Sequence, residues 1–189
     1  MTDLPQSRIL AAAHLAAREK EPSPLEAEVV ALFDRLRNPL LRYLLSFHSL
    51  AAADCEEIVQ EAFLALFQHL QRGGARNNLS AWLFRVAHNM GLKRLERSRR
   101  DSRGRVELAE APETADSAPN PEDACLRGET GARLDAVLRA LPELDRRCLA
   151  LRAEGLRYRE IAEVLDISLG GVAKCLERSL ARMARAVER

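Results

Sequence analysis

Residues 106–125, VELAEAPETADSAPNPEDAC, hold six acids, three prolines and no basic residue, with no apolar period running through them. Such a stretch buries no face of its own and reads as a flexible acidic linker. It constrains everything around it. Each flank of a 189-residue chain must build its own small core.

The first flank supplies that core at helical spacing. Leu25, Val29, Leu32/Phe33, Leu36, Leu40, Leu44 and Phe47 recur every three or four residues, which predicts an amphipathic helix bent at Pro39. In AAADCEEIVQEAFLALFQHL, Ile58, Ala62, Leu66 and Leu70 make a second stripe. Asp54 is placed to cap it, with Glu57 at capping-box distance. QRGGARNNL then breaks the pattern. A third helix, SAWLFRVAHNMGLKRLERSRR, is expected from Ser80. Past the linker, RLDAVLRAL, PELDRRCLALRAEG, RYREIAEVL and SLGGVAKCLERSLARMARAVER read as four more helices, the second begun by Pro142 at its first position. No segment alternates as a strand would. Aromatic residues are 4% of the chain, which suits small Leu/Ala/Val helical cores. The expected fold is all-α: an extension at 1–24, a helical bundle at 25–105, the linker at 106–130 and a four-helix unit at 131–189.

A net charge of +1 conceals strong segregation. Residues 51–71 carry Asp54, Glu56, Glu57 and Glu61 and no Lys or Arg. From Arg72 to Arg105 there are ten basic residues against Glu96 and Asp101, a net of +8. Arg72, Arg76, Asn77 and Asn78 lie in the glycine-rich loop. His88, Lys93, Arg94, Arg97, Arg99 and Arg100 are expected to project from the helix after it. Cations meet phosphates and amides meet base edges. Trp82 and Phe84 read either as core or as stacking platforms for an unpaired base, core being favoured for Trp82.

Residues 158–175 follow helix-turn-helix grammar. Ala162 is the small residue between the helices. Ile161, Leu165, Ile167, Val172 and Cys175 face inward. Asp166 takes the left-handed turn position, and Ser168 caps the second helix. That register leaves Leu169, Gly170, Gly171, Ala173, Lys174, Glu177 and Arg178 outside, with Lys174 and Arg178 placed to meet phosphates or guanine edges. The plainer alternative is an amphipathic C-terminal helix with a solvated basic face.

Taken together, these segments resemble the extracytoplasmic-function sigma factors of the sigma-70 family, over roughly residues 25–187. DCEEIVQEAFLALF is similar to the part of their region 2 that docks on polymerase, the third helix to their promoter-melting helix, and the stretch from ALPELDRR onward to their region 4. The resemblance implies a promoter-specificity subunit. Its partners would be core RNA polymerase (clamp helices and flap), promoter DNA and an anti-sigma factor. Asp54, Glu57, Gln60 and Glu61 would meet the clamp. Asn89 would read a flipped minus-ten base beside a pocket formed by the 72–79 loop. Arg157 and the 168–178 surface would read the minus-thirty-five element. Ala173 and Cys175 depart from the Lys and Arg common there, and Lys93 replaces a common acid, so promoter preference does not transfer from typical members.

Other classes fit less well. An operator-binding regulator needs a sensing pocket or dimer seam in its first domain, and an adaptor needs no basic surface on both halves. Glu56, Glu57 and Glu61 lack the His, Cys or glycine-loop support of a catalytic pair, so no enzyme is expected. Cys55, Cys125, Cys148 and Cys175 are scattered, without a C-x-x-C pair, and read as buried thiols; no metal or cofactor is expected. No secretion signal or apolar span appears, which points to a cytoplasmic protein without membrane insertion.

Overall fold

Ser-Pro-Leu-Glu is a helix start written in four residues. Ser23 Oγ accepts the Glu26 N–H at 3.2 Å, and the Glu26 carboxylate accepts the Ser23 N–H at 2.7 Å. Pro24 occupies the first turn, where its missing N–H has no cost. The helix it opens is α1 (Pro24–Leu45). This is a computed structural model that describes the backbone of residues 23–106 and 121–187, and side chains over 23–101 and 131–187. The expected extension at 1–24 lies almost wholly outside the described residues.

Six further helices follow among the described residues: α2 (Ala52–Gln71), α3 (Leu79–Val106), α4 (Pro121–Ala140), α5 (Glu143–Ala153), α6 (Tyr158–Leu165) and α7 (Leu169–Val187). Among the described residues there is no strand. Helices α1, α2 and α3 pack mutually, and α5, α6 and α7 form the second group with α4 laid against α7. Tyr43, Phe47, Phe84, Leu83, Leu66 and Ile58 fill the first core; Leu151, Ile161, Val172, Cys148 and Leu176 fill the second. Gly91 lets α3 close on α1. A Cβ there would already sit 3.2 Å from the Phe47 ring and 3.3 Å from Leu44.

Several expectations at helix ends are corrected. α2 starts at Ala52 with Ala51 at its N-cap, so Asp54 caps nothing; Asp54 and Glu57 both bind Arg94 instead. Pro142 is the N-cap of α5 and Glu143 its first residue. The expected linker is also shorter on its C-terminal side, because residues 121–130 belong to α4. Pro121, whose fixed φ suits a first turn, opens that helix.

The two groups also touch each other. The Arg42 guanidinium on α1 grips Glu154 at the end of α5, at 2.8 and 2.6 Å. Arg146 Nε donates to the Ser46 carbonyl at 2.7 Å. Arg147 lies over the Phe47 ring, 4.4 Å from its centre. Helix α6 rests on α3.

Candidate nucleic-acid interface

The loop after α2 is built by two glycines. Gly73 takes φ +77°. Its N–H reaches the Leu70 carbonyl at 3.0 Å, while the Gly74 N–H reaches that of His69 at 2.9 Å. This is a Schellman ending, which turns the chain sharply out of the helix. Gly74 then lies flat on the His69 imidazole, where any Cβ would collide with three ring atoms. The same imidazole stacks on Trp82, with ring centres 4.9 Å apart and planes 27° from parallel. His69 Nε2 lies 3.1 Å from the Ala75 carbonyl oxygen. The loop is thus clamped to the start of α3 through one imidazole.

Beyond the clamp lies a cleft of about 420 Å³. His69 and Trp82 give it aromatic surface, Asn77 and Asn78 give amides, and Arg85 gives a cation. Asn78 holds a left-handed φ of +54°, which asparagine tolerates, and its carbonyl accepts the Trp82 N–H at 3.1 Å. From Arg85 a ladder runs down α3 at steps of four: Arg85, Asn89, Lys93 and Arg97, all exposed. Arg72 and Arg76 are exposed on the loop, and Arg76 is ion-paired to Glu28 of α1.

His88 does not belong to this surface. Its side of α3 carries Phe84, Ala87, Gly91 and Leu95, all buried, and the residue is 5% exposed. It shares a 2.6 Å hydrogen bond with the Tyr43 hydroxyl and packs edge-on against Phe47. Burial first, and then the charge of Arg147, push its pKa down to about 4. A neutral, enclosed imidazole contacts no nucleic acid, so the expectation for His88 is overturned. The buried neighbours every three and four residues were the sequence signal for this. Phe84 is likewise fully buried, whereas Trp82 is half-buried and lines the cleft.

On α2, Glu57, Gln60 and Glu61 are exposed and share one face, with Asp54 half-buried at its edge. Arg94 reaches from α3 and binds Asp54 and Glu57 at 2.7 Å each. Arg94 therefore joins the acidic face to the basic helix rather than adding to the free cations.

The helix-turn-helix takes the expected register. Asp166 has φ +53°, and the Ile167 N–H reaches the Ala162 carbonyl at 3.1 Å. Ser168 Oγ accepts the Gly171 N–H at 3.1 Å. Ile161, Leu165, Val172 and Cys175 are buried and Ile167 is half-buried. Leu169, Gly170, Ala173 and Lys174 are exposed, Gly171 partly so, and Arg157 stands exposed before α6.

Arg178 is the exception. Its Nη2 and Nε donate to the two oxygens of Asp145, at 2.6 and 3.1 Å. The Asp145 side chain is 1% exposed. Burial raises the pKa of that carboxyl, but the hydrogen bonds from Arg178 and its charge outweigh burial and hold it below the ordinary carboxylate range. The Nε–Nη2 edge of the guanidinium is thus tied to a buried carboxylate, so Arg178, 55% exposed, fastens α7 to α5. Sequence reasoning missed Asp145, although it stands among Leu141, Cys148 and Leu151 in an otherwise apolar stripe.

Comparison with known proteins agrees with both halves. A family model described as Sigma-70 region 2 matches residues 32–101, and one described as Sigma-70, region 4 matches 131–183. The chain is 33% identical over 130 residues to the ECF RNA polymerase sigma factor SigE of Mycolicibacterium smegmatis, an alignment spanning 66% of this chain and 48% of that protein. It is 30% identical over 144 residues to the RNA polymerase sigma-H factor of Pseudomonas aeruginosa, spanning 72% and 75%. Among solved structures, the sigma factor RpoE of Bartonella quintana, in complex with the anti-sigma factor NepR, superposes with a TM-score of 0.59 at 18% identity, covering 84% of this chain and 97% of that one. CnrH, in complex with the cytosolic domain of CnrY, superposes with a TM-score of 0.57 at 24% identity, covering 96% of each. These likenesses are of fold.

Proposed function

The chain belongs to the extracytoplasmic-function branch of the sigma-70 family, and we propose that it serves RNA polymerase as the subunit that selects and opens promoters. The observation that carries this is the pair of unlike nucleic-acid surfaces on one chain. One is an aromatic and amide cleft continued by the ladder Asn89, Lys93 and Arg97. The other is a helix-turn-helix presenting Leu169, Gly170 and Lys174.

The cleft suits an extruded base. Unstacking a base costs a few kcal/mol, and stacking on an aromatic ring returns about 1–3 kcal/mol per base. Asn77, Asn78 and Asn89 offer amides for its edges, and the cations of α3 hold the separated strand by its phosphates. The helix-turn-helix would meanwhile hold the upstream minus-thirty-five element in the major groove, with Arg157 on the backbone. Glu57, Gln60 and Glu61 would dock on the polymerase clamp helices, with Asp54 positioned through Arg94, and the second unit would meet the flap. In that role the chain needs no catalytic group of its own. An anti-sigma factor is the proposed restraining partner, as the complexes of RpoE with NepR and of CnrH with CnrY suggest. No described helix is long and apolar enough to cross a membrane. We assign the protein to the cytoplasm, where its polymerase partner works.

The test is permanganate footprinting of thymines on genomic promoter fragments. Core polymerase with this chain should give reactive thymines at a minus-ten position, and neither component alone should. Fragments that stay unreactive across the genome with both components present would remove the proposal.

A further inference from the structure

The clamping imidazole uses only one of its two nitrogens. A carbonyl oxygen accepts and never donates, so the 3.1 Å contact between His69 Nε2 and the Ala75 carbonyl makes Nε2 the protonated nitrogen of the neutral ring. Nδ1 then carries a lone pair, and no group among the described residues donates to it. The ring is held in place. Trp82 stacks on it, and the Gly74 backbone lies so close that a Cβ there would meet Nδ1 at 2.5 Å.

The other polar groups of the cleft distinguish bases poorly. Asn77 and Asn78 each carry a donor and an acceptor and turn to suit either partner. Arg85 only donates, and every unpaired base offers an acceptor on its edge. Glu163 of α6 lines the cleft and only accepts, but its side chain is exposed on a flexible stem. His69 Nδ1 is an acceptor whose direction is fixed by its ring contacts and whose character is fixed by its tautomer.

An acceptor fixed in place asks for a donor. Cytosine and adenine present an exocyclic amine with a ring-nitrogen acceptor beside it. Nδ1 can take the amine while Arg85 or an asparagine amide donates to the ring nitrogen. Thymine and guanine carry a carbonyl oxygen where those two bases carry the amine. The N–H of thymine is recessed between two such oxygens, which would face the Nδ1 lone pair.

We propose that His69 is a specificity-determining residue of the cleft: its Nδ1 accepts a hydrogen bond from the exocyclic amine of the extruded base, so the cleft takes cytosine or adenine and discriminates against thymine. The inference rests on the function proposed above, since it takes the cleft for a base site.

The test is a double-mutant cycle between side chain and base. Core polymerase with the full chain is given a promoter found by footprinting. Each minus-ten adenine or cytosine of the non-template strand is replaced in turn by the nebularine or zebularine deoxynucleotide, which keeps the ring and lacks the amine. At one position the loss should weaken open-complex formation by the wild type about three- to tenfold, as for one hydrogen bond. In His69→Ala, and in His69→Phe, which keeps a ring to stack on Trp82, the same loss should cost less than about twofold, whatever the variants do to overall activity. A merely structural His69 would lower activity on both templates alike and leave their ratio unchanged. Glu163→Ala should keep the wild-type ratio. Equal sensitivity in the wild type and both His69 variants would overturn the proposal. So would a wild type sensitive at no position, or sensitivity lost in Glu163→Ala instead. Nitrogen NMR of the labelled full chain in mildly alkaline solution should show His69 protonated at Nε2 and bare at Nδ1. The opposite tautomer, or protons on both nitrogens, would overturn the proposal without any promoter. Failure of the wild-type holoenzyme to open any promoter would instead remove the proposed function, and the nitrogen spectrum would still report whether the acceptor exists.

Discussion

Two residues that share a charge type stand in opposite settings in α7. Lys174 is exposed on the proposed recognition face, while Arg178, one turn on, binds the buried Asp145. Lys174→Glu should lower transcription from promoters that need the upstream element by about fivefold or more and leave the melting temperature nearly unchanged. Arg178→Ala should do the reverse first: it strands a buried carboxylate, so the melting temperature falls, as differential scanning fluorimetry will show. An Asp145→Asn partner change should recover part of that loss. His88 makes the second residue-scale prediction. Its folded pKa of about 4 lies below the ordinary 6.5. Between those values the unfolded chain binds a proton that the folded chain refuses. Stability contributed by the neutral imidazole is therefore whole above about pH 6.5 and is lost as pH falls towards 4, by about 3 kcal/mol in all. Urea titrations of wild type and His88→Gln across this range should show the variant losing less. Equal slopes would mean that His88 is not enclosed as described.

At the scale of elements, the loop and its imidazole clamp act as one part. Gly74→Ala drives a methyl group into His69, which stacks on Trp82, so overpacking of about 1–3 kcal/mol is expected, together with weaker promoter melting. Gly74→Ala combined with His69→Ala should cost less than the two separate losses added together, because the second change removes the obstacle. A fully additive double mutant would show that the two do not press on each other. The sequence exposed most of the helices and the whole helix-turn-helix register, since burial follows three- and four-residue spacing and Asp166 and Ser168 are specific to their positions. It misled where one residue type serves two ends. Asp54 looked like a cap and is an ion-pair partner, His88 and Arg178 looked like surface cations and are enclosed or tied, and Glu163 gave no sign that it faces another element. Those roles depend on what lies across a gap, which periodicity along one helix does not encode. The Ser23–Glu26 capping box is legible in the sequence, two residues ahead of the first apolar position of its helix.

For the whole molecule, a core running from α1–α3 into α5–α7 makes a prediction about cooperativity. Trp82, the lone tryptophan, lies in the first group, whereas far-ultraviolet dichroism reports both. Urea transitions followed by the two probes should coincide in the wild type. They should separate in Arg147→Ala, which removes the guanidinium from Phe47. Separate transitions in the wild type would mean that the groups unfold independently.

The first turns of α7 have one more consequence. Leu169, Gly170, Ala173 and Lys174 are exposed, whereas Val172, Cys175, Leu176 and Ser179 carry the packing and Asp145 with Arg178 fixes the helix from behind. Nothing lies within 4 Å of where a Cβ on Gly170 would sit. Substitution at these four positions is therefore uncoupled from folding, so in the proposed role the preferred DNA sequence can drift through a lineage, or be rewritten by an engineer, while the scaffold beneath it stays the same.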